Sequence, residues 1–425
     1  MVSIVPVPRA LIPVDSAAAA QVGAPNYDEF QGDHEIFDLL QHRPQCVLRI
    51  TMSHCAVADF DSRPKEGSPE ALQLARVNMQ AYLDSPLTRT LHDLLWVYEI
   101  VSPRRPEVRQ MGLGGLARTA EIRTPLQPDG VIIRNEGIRQ EKADGRARLI
   151  EATHAYIGTV NCAVRDRDGT LCGMLEQLAD QKAPDFSTGD ESGNHHRVWC
   201  VRDPATVARL TERLAQEPFA YVADGNHRSA AAASLGREHF LAVFFTTDRM
   251  RLEPYNRLVA ASELRRDEFL RRAGESFEVT PLGPRHGYRP PAIHEIGLYT
   301  AGLWYRLTPR PGTFDPANAV ESIDSDIIQR HLFDRVLGIA DSRDERLNFV
   351  GGNKDATYLQ QQVDAGAYAC AISLAPVTME QFIAVCEQGR FMPPKSTWFD
   401  PKIRSGLVTA LLHPDRHPPR AGIAS

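Results

Sequence analysis

The stretch Tyr221-Val222-Ala223-Asp224-Gly225-Asn226-His227-Arg228, running into Ser229-Ala230-Ala231-Ala232-Ala233-Ser234-Leu235, decides how this chain folds around a loop. The apolar run Phe219 to Ala223 has the length and aromatic content of a buried strand, and the alanine-rich segment after it favours helix. A strand therefore hands a polar loop to a helix start, where backbone N–H groups lack intrahelical partners and the helix dipole adds partial positive charge. An anion can dock at such a start. Asp224 and Gly225 make the turn, and His227 and Arg228 supply side-chain donors of the kind a phosphate needs. A lone Asp-Gly reads as a plain turn capping a surface helix; the Asn, His and Arg beside it narrow that alternative.

The 425 residues exceed what one core usually holds, since domains commonly run to about 100–200 residues. Hydrophobic content of 43% and charged content of 24% suit a folded globular chain and oppose wholesale disorder or a membrane protein. A net charge of -6 does not advertise nucleic-acid binding, which leaves a small molecule as the expected partner; the oligomeric state is open. Cys46, Cys55, Cys162, Cys172, Cys200, Cys370 and Cys386 are scattered, with no C-x-x-C pair, which opposes a disulfide framework and a zinc site. No basic start precedes a long apolar run, Ala17 to Ala20 is too short for a signal core, and no segment reaches the roughly 18 apolar residues of a membrane span. The expected compartment is the cytoplasm.

Outward from the loop, Pro204 to Gln216 reads as a helix capped by Asp203, preceded by a strand over Val198 to Val201 and followed by another over Leu241 to Thr247. Residues 1 to 30 read as an irregular lead-in ending on the turn Ala24-Pro25-Asn26-Tyr27-Asp28. Val47 to Met52 and Leu94 to Val101 read as strands, and Pro69 to Asp84 as a helix. Gly112-Leu113-Gly114-Gly115-Leu116 lacks the spacing of a phosphate loop and reads as a strand needing close backbone approach. Val131 to Ile133 ends on Asn135-Glu136, where the glutamate is a candidate general base or a solvated strand end. The helical stretch after it carries Lys142, Arg146 and Arg148, read as a solvated face. Asp166 to Gly169 reads as a turn between strands, residues 180 to 196 as a loop with His195 and His196 a surface pair, and Pro254 to Arg257 as a polar turn. Near the end, Met392-Pro393-Pro394-Lys395-Ser396-Thr397-Trp398-Phe399-Asp400-Pro401-Lys402 concentrates groups suited to closing over an anion.

These blocks, in this order, carry a resemblance. With Pro8-Arg9-Ala10-Leu11 at the start, Asn135-Glu136 with Lys142 and Arg146, the Asp224 to Arg228 loop, Pro254 to Val259 and Met392 to Leu407, the chain resembles the domain of unknown function 1015 family over nearly its whole length. The Asp-Gly-x-His-Arg loop is also similar to that of the ParB and sulfiredoxin fold group, including free serine kinases. The resemblance implies ATP- or ADP-dependent, Mg²⁺-assisted phosphorylation of a small hydroxyl compound, with free L-serine as the reference acceptor. On that reading Gly225, Asn226 and Ser229 cradle phosphate with His227 and Arg228, while Lys395, Ser396, Thr397 and Lys402 add groups from the C-terminal segment. Glu136 accepts the hydroxyl proton, and Asp224 orients the loop or meets Mg²⁺ through water.

The chain departs from the family inside the motifs. Asn135, Asn226 and Asn256 stand where the family usually has histidine, and Ser229-Ala230-Ala231 where an aromatic-Glu-Thr sequence is frequent. Lost imidazoles remove proton-transfer options. Two further readings therefore stay open: a nucleotide-binding regulatory protein without phosphoryl transfer, and a non-kinase enzyme acting on a phosphorylated small molecule. The expected fold is α+β, with mixed sheets and a ParB/sulfiredoxin-like nucleotide-binding module over 126–260. That module is flanked by an N-terminal part over 1–125 and a C-terminal part over 261–413, all interwoven, with a disordered tail over 414–425.

Overall fold

The computed structural model describes residues 1–30, 32–260, 265–342, 344–352 and 354–412, so the tail expected over 414–425 lies outside the described residues. The fold is α+β, and the chain divides into two compact units: Met1–Met250 with Pro401–Ser425, and Arg251–Asp400.

In the first unit, nine strands of a twelve-stranded mixed sheet run in the order Ile132–Arg134, Ala220–Asp224, Val160–Val164, His239–Thr246, Arg105–Arg118, Thr88–Ser102, Val7–Pro13, Thr409–Leu411, Ala155–Tyr156, and Ile4–Val5, Phe186–Gly189 and His195–Val201 join off that path. Its strands come from both sides of residue 125, where the sequence reading places a boundary. The interweaving takes the form of Thr409–Leu411, which pairs antiparallel with Val7–Pro13 and with Ala155–Tyr156.

The glycines of Gly112 to Gly115 sit in the long strand Arg105–Arg118, between Thr88–Ser102 and His239–Thr246. A side chain at Gly112 would lie 2.7 Å from the Phe245 ring, one at Gly115 2.6 Å from Ile4 and Leu95, and one at Gly114 inside the Trp96 indole. Large neighbours thus occupy the space the glycines vacate. Gly114→Ala is expected to cost at least the about 1–3 kcal/mol typical of an overpacked core, read as a lower denaturation midpoint at unchanged denaturant slope.

Several local expectations change. Residues 1 to 30 form the strands Ile4–Val5 and Val7–Pro13 and the helix Ser16–Val22, capped by the Asp15 carboxylate, rather than an irregular lead-in. Val47 to Met52 is the short helix Leu48–Thr51 leading into the turn Ser53–Cys55; six residues, with Arg49 and Thr51 between apolar ones, are too few for a period to separate strand from helix. Asp166 to Gly169 joins a strand to a helix, because the Asp166 carboxylate accepts the N–H groups of Leu171 and Cys172 at 2.9 and 2.8 Å and so caps Thr170–Gln181. Residues 180 to 196 contain the hairpin strand Phe186–Gly189, paired with His195–Val201. His196 is fully buried, with Nδ1 2.8 Å from the Tyr98 hydroxyl and Nε2 3.2 Å from Asp190, so the histidines are not a surface pair. Pro69–Leu83 and Pro204–Leu214 are helices as their sequences predict, the second capped by Asp203 as expected and the first by Ser68, which the sequence reading did not name.

The second unit is built on a six-stranded antiparallel sheet in the order Phe277–Gly283, Leu303–Pro309, Ile296–Thr300, Cys370–Ser373, Asn256–Val259, Leu347–Val350. A separate pair joins Arg251–Glu253 to Trp398–Asp400. Pro254 and Tyr255 join the strands Arg251–Glu253 and Asn256–Val259; Asn256 opens the second, its Oδ1 accepting the Leu374 N–H at 3.0 Å, and Tyr255, Asn256 and Arg257 are buried. No helix among the described residues is long and apolar enough to cross a membrane.

Candidate functional site

The strand Ala220–Asp224 ends in the loop, and the helix Asn226–Ser234 begins directly after Gly225. Gly225 has φ of +103°, and an added Cβ would lie 3.0 Å from Arg228 Nε and 3.2 Å from Val160 Cα. Conformation and space both demand glycine there. The first bonds inside the helix come from the Arg228 and Ser229 N–H groups to the Gly225 carbonyl, so the N–H groups of Asn226 and His227 precede the helical ladder.

Arg228 folds back on its own loop. Its Nη2 lies 2.8 Å from Asp224 Oδ2, its Nη1 donates to the Thr159 carbonyl, and Gly158 leaves room for its stem. Asp224 thus orients Arg228, and that ion pair raises the guanidinium's already high pKa against the opposing effect of burial. Asn226 donates from Nδ2 to Asn135 Oδ1 at 2.8 Å, tying the loop to the strand end that carries Glu136. Its own Oδ1 is buried without a hydrogen-bond partner in the protein. Ser229 is fully buried and its hydroxyl donates to the Asn226 carbonyl at 3.0 Å, which makes it a brace for the loop.

His227 Nε2 accepts the Arg139 backbone N–H at 3.1 Å, which leaves the ring proton on Nδ1. Burial, followed by the charges of Lys142, Arg139, Arg146 and Arg228, pulls its pKa down to about 4. His227 is therefore neutral at pH 7, and its depressed value reports a positive potential over this end of the helix. The unfolded chain binds this proton more readily than the native one. The resulting stability is complete above the ordinary pKa of about 6.5 and is lost as pH falls towards 4. Denaturation midpoints of His227→Gln are expected to fall less between pH 6.5 and 4 than those of the wild type.

The cations come from one helix and its start. Lys142 and Arg146 are four residues apart on Gln140–Thr153, so they share a face, and Arg146 stacks over the Tyr27 ring at 4.0 Å. Tyr27 opens the turn Tyr27–Glu29, which the sequence reading took only as a turn. Asp28 pairs with Lys402 at 2.7 Å, and Glu29 Oε1 accepts the Asn26 N–H at 2.7 Å. Asn26 in turn donates to the Ile403 carbonyl at 3.2 Å and accepts from the Ser405 hydroxyl at 2.8 Å, so the turn is held by the returning C-terminal segment. Burial pushes the Glu29 carboxyl up to about 7, with Asp28 adding to the rise and Lys402, the Asn26 N–H and Arg404 opposing it. A carboxyl in that range exchanges protons near neutrality.

Two adjoining hollows share Tyr27, Thr51, Arg146 and Leu149 in their walls. The larger, about 380 Å³, is polar, with Lys142, Arg148, Glu66 and His54 among its lining; that volume falls within the about 300–1,000 Å³ of ligand sites. The smaller is a narrow slot of about 50 Å³ between Tyr156, Ile157, Val160, Phe240 and Leu241, with Arg228 at its polar end. Of the residues the sequence singles out, Asp224, Gly225, Asn226, His227, Arg228 and Lys402 belong to the first unit, and Glu136 is half-buried beside Asn135. Lys395, Ser396 and Thr397 belong to the second. There the Lys395 ammonium lies 3.3 Å from the Tyr255 hydroxyl, and the Ser396 hydroxyl donates to the Pro393 carbonyl and meets Ser325 Oγ, each at 2.7 Å.

Glu29 and Arg139 escaped the sequence reading, and Asp28 and Arg404 entered it only as members of quoted blocks, without a role. The signal for Glu29 was present as Asn26-x-x-Glu29, a capping-box spacing, but its enclosure depends on residues more than 370 positions away.

No curated protein matches the chain. Among solved structures, a free serine kinase variant in complex with AMP is 12% identical, with a TM-score of 0.37, covering 63% of this chain and 83% of that one. A conserved hypothetical protein from Pyrococcus furiosus is 11% identical, with a TM-score of 0.36, covering 66% and 92%. SbnI with C-terminal truncation from Staphylococcus aureus is 10% identical, with a TM-score of 0.37, covering 68% and 82%. The family described as "Protein of unknown function (DUF1015)" matches residues 4–330, about three quarters of the sequence, and the chain belongs to that family.

Proposed function

We propose that the first unit is a nucleotide-dependent phosphotransferase acting on the hydroxyl of a small molecule, with free L-serine the first acceptor to try because the Asp-Gly-x-His-Arg loop resembles that of free serine kinases. The observation that carries this reading is the neighbourhood of two oppositely tuned groups. Burial, with Lys142, Arg139, Arg146 and Arg228 adding, holds His227 neutral at the start of a helix, and the turn Tyr27–Glu29 carries Glu29 with a pKa of about 7.

Phosphoryl transfer needs charge neutralised and an oxygen delivered in line, with little covalent work from the protein. Bound Mg²⁺-nucleotide supplies the phosphoryl group and further charge neutralisation. Lys142, Arg146 and Arg228 bind phosphate oxygens together with the N–H groups that open the helix after Gly225. The apolar slot beside Arg228 takes a flat ring edge, and the polar hollow takes the acceptor. Glu29, in the turn whose Tyr27 lines both hollows, is the first candidate to accept the hydroxyl proton, with Glu136 the second, and Lys402 holds Asp28 beside Glu29.

A second reading, nucleotide binding that switches shape without transfer, draws on the buried Asn226–Asn135 amide pair, which places no imidazole where the family usually has two. Calorimetric titration with ATP and ADP in Mg²⁺, followed by product analysis over a panel of hydroxyl compounds headed by L-serine, separates the two. Binding with a phosphorylated product supports the kinase, binding without product the regulatory protein, and no binding removes both. Arg146→Ala is expected to weaken nucleotide by about 10–100-fold, the worth of one charged hydrogen bond.

A further inference from the structure

One wall of the polar hollow carries a set of side chains that phosphoryl transfer leaves unused. Asp33 is the first residue of the helix Asp33–His42, and His54 and Cys55 close the turn Ser53–Cys55. That turn is pinned by the Ser53 hydroxyl donating to the Ala71 carbonyl at 2.5 Å. One ligand atom from each of Asp33, His54 and Cys55 lies within 4.8 Å of the others, the one such group found among the described residues. Asp33 and His54 both line the hollow.

His54 is 2% exposed, and its Nε2 is buried 3.3 Å from Asp33 Oδ2, yet it makes no hydrogen bond to that oxygen or to any other atom of the described residues. A ring nitrogen and a carboxylate oxygen that sit side by side without pointing at each other share a target instead. Their spacing suits one: with metal–nitrogen and metal–oxygen bonds of about 2.0–2.1 Å, the edge of a tetrahedral zinc site is about 3.3 Å. Closing the thiol onto the same point takes about an ångström of side-chain movement. The thiol has no cation near enough to hold it ionised; burial, with Asp33 and Glu66 adding, pushes it up to about 12 against the opposing charge of Arg63. Arg63 Nε lies 3.6 Å from the same Asp33 oxygen, Oδ2, with its guanidinium stacked 3.7 Å above Phe60, so a bound ion shares that oxygen with Arg63.

We infer that Asp33, His54 and Cys55 form a binding site for a borderline-soft divalent ion of the zinc class, with three protein ligands and a fourth position turned to the polar hollow. The donor set is the reason for that class: imidazole and thiolate select zinc over magnesium, which prefers oxygen throughout. Binding releases the Cys55 proton to solvent, and the thiolate then balances the ion's charge with Asp33. Three ligands and one open position are the arrangement of sites that meet a water or a ligand donor atom. Absence of C-x-x-C spacing argues against zinc only where both cysteines come from one local motif, and here a helix start and a turn about twenty residues apart supply the ligands.

The test needs no nucleotide, so its outcome is independent of the phosphotransferase reading. Untagged full-length protein, stripped with chelator, is titrated with Co²⁺ and followed by visible absorption. One equivalent is expected to bind with the intense bands of a four-coordinate ion and a thiolate-to-cobalt charge-transfer band, both displaced by Zn²⁺ and unmoved by excess Mg²⁺. Cys55→Ser is expected to lose the charge-transfer band, and His54→Gln to weaken affinity by at least the about 10–100-fold that even an outer partner costs. A spectrum without thiolate character, or one that survives Cys55→Ser unchanged, overturns the site. Should the two buried variants fail to fold by circular dichroism, Asp33→Asn at its half-exposed position decides, since unaltered Co²⁺ affinity there overturns it as well.

Discussion

Glu29→Gln is expected to lower phosphotransfer turnover by about 10²–10⁴-fold, the usual worth of a positioned general base, while nucleotide affinity stays near that of the wild type. The substitution isolates proton transfer because glutamine can still accept the Asn26 N–H that Glu29 Oε1 accepts at 2.7 Å, so the turn keeps its cap. Wild-type turnover is expected to rise with pH through the neutral range, where a carboxyl with a pKa of about 7 loses its proton, and Glu29→Gln is expected to flatten that rise. Stability gives an independent check. The native pKa lies above the ordinary glutamate value of 4.5, so the contribution of the protonated carboxyl is complete below 4.5 and is lost as pH rises through about 7. Denaturation midpoints of Glu29→Gln should therefore decline less over that window. Equal turnover in Glu29→Gln and wild type would return the role to Glu136, whose own Gln variant belongs in the same assay.

Arg228→Gln is expected to remove measurable nucleotide binding and also to destabilise the first unit by about 3 kcal/mol, because it strands Asp224 after breaking a 2.8 Å ion pair that is largely shielded from water. The two losses have different cures. Asp224→Asn placed on top of Arg228→Gln removes the stranded charge, so the double variant should recover most of the melting temperature while binding stays absent. Recovery of binding along with stability would mean that Arg228 acts only as a brace for the loop. The cycle is informative because Gly225, with its left-handed backbone, fixes the loop independently of either charge.

How far the sequence announces this site depends on how far apart its partners are. Strand, glycine and helix around Asp224 to Arg228 are consecutive, so local period and turn chemistry suffice to place them. The caps Ser68 and Asp203 are equally local. Lys142 and Arg146 read as a solvated face because four-residue spacing says which side chains travel together, and nothing about what they face. What they face is Tyr27, more than a hundred residues earlier. Glu29 was less legible still, since a carboxyl's pKa is a property of its enclosure, supplied here by Ile403, Ser405 and Lys402. Val47 to Met52 failed for a different reason: a run that short is compatible with either period, and packing against Leu40, Met79 and Tyr82 selects helix.

The return of Pro401 into the first unit bears on how the protein is made. A ribosome delivers Met1–Met250 first, but the sheet cannot take Thr409–Leu411 until Arg251–Asp400 has also been synthesised. Held open as loose chain, that intervening stretch would impose a ring-closure penalty of about 4 kcal/mol from its length alone. Pairing of Arg251–Glu253 with Trp398–Asp400 cancels much of it, because the second unit, once folded, presents its entry and exit as neighbours. The nascent first unit is therefore a waiting state whose strand Thr409–Leu411 arrives late, and Glu29 acquires the surroundings that tune it only after Lys402 to Ser405 have been synthesised.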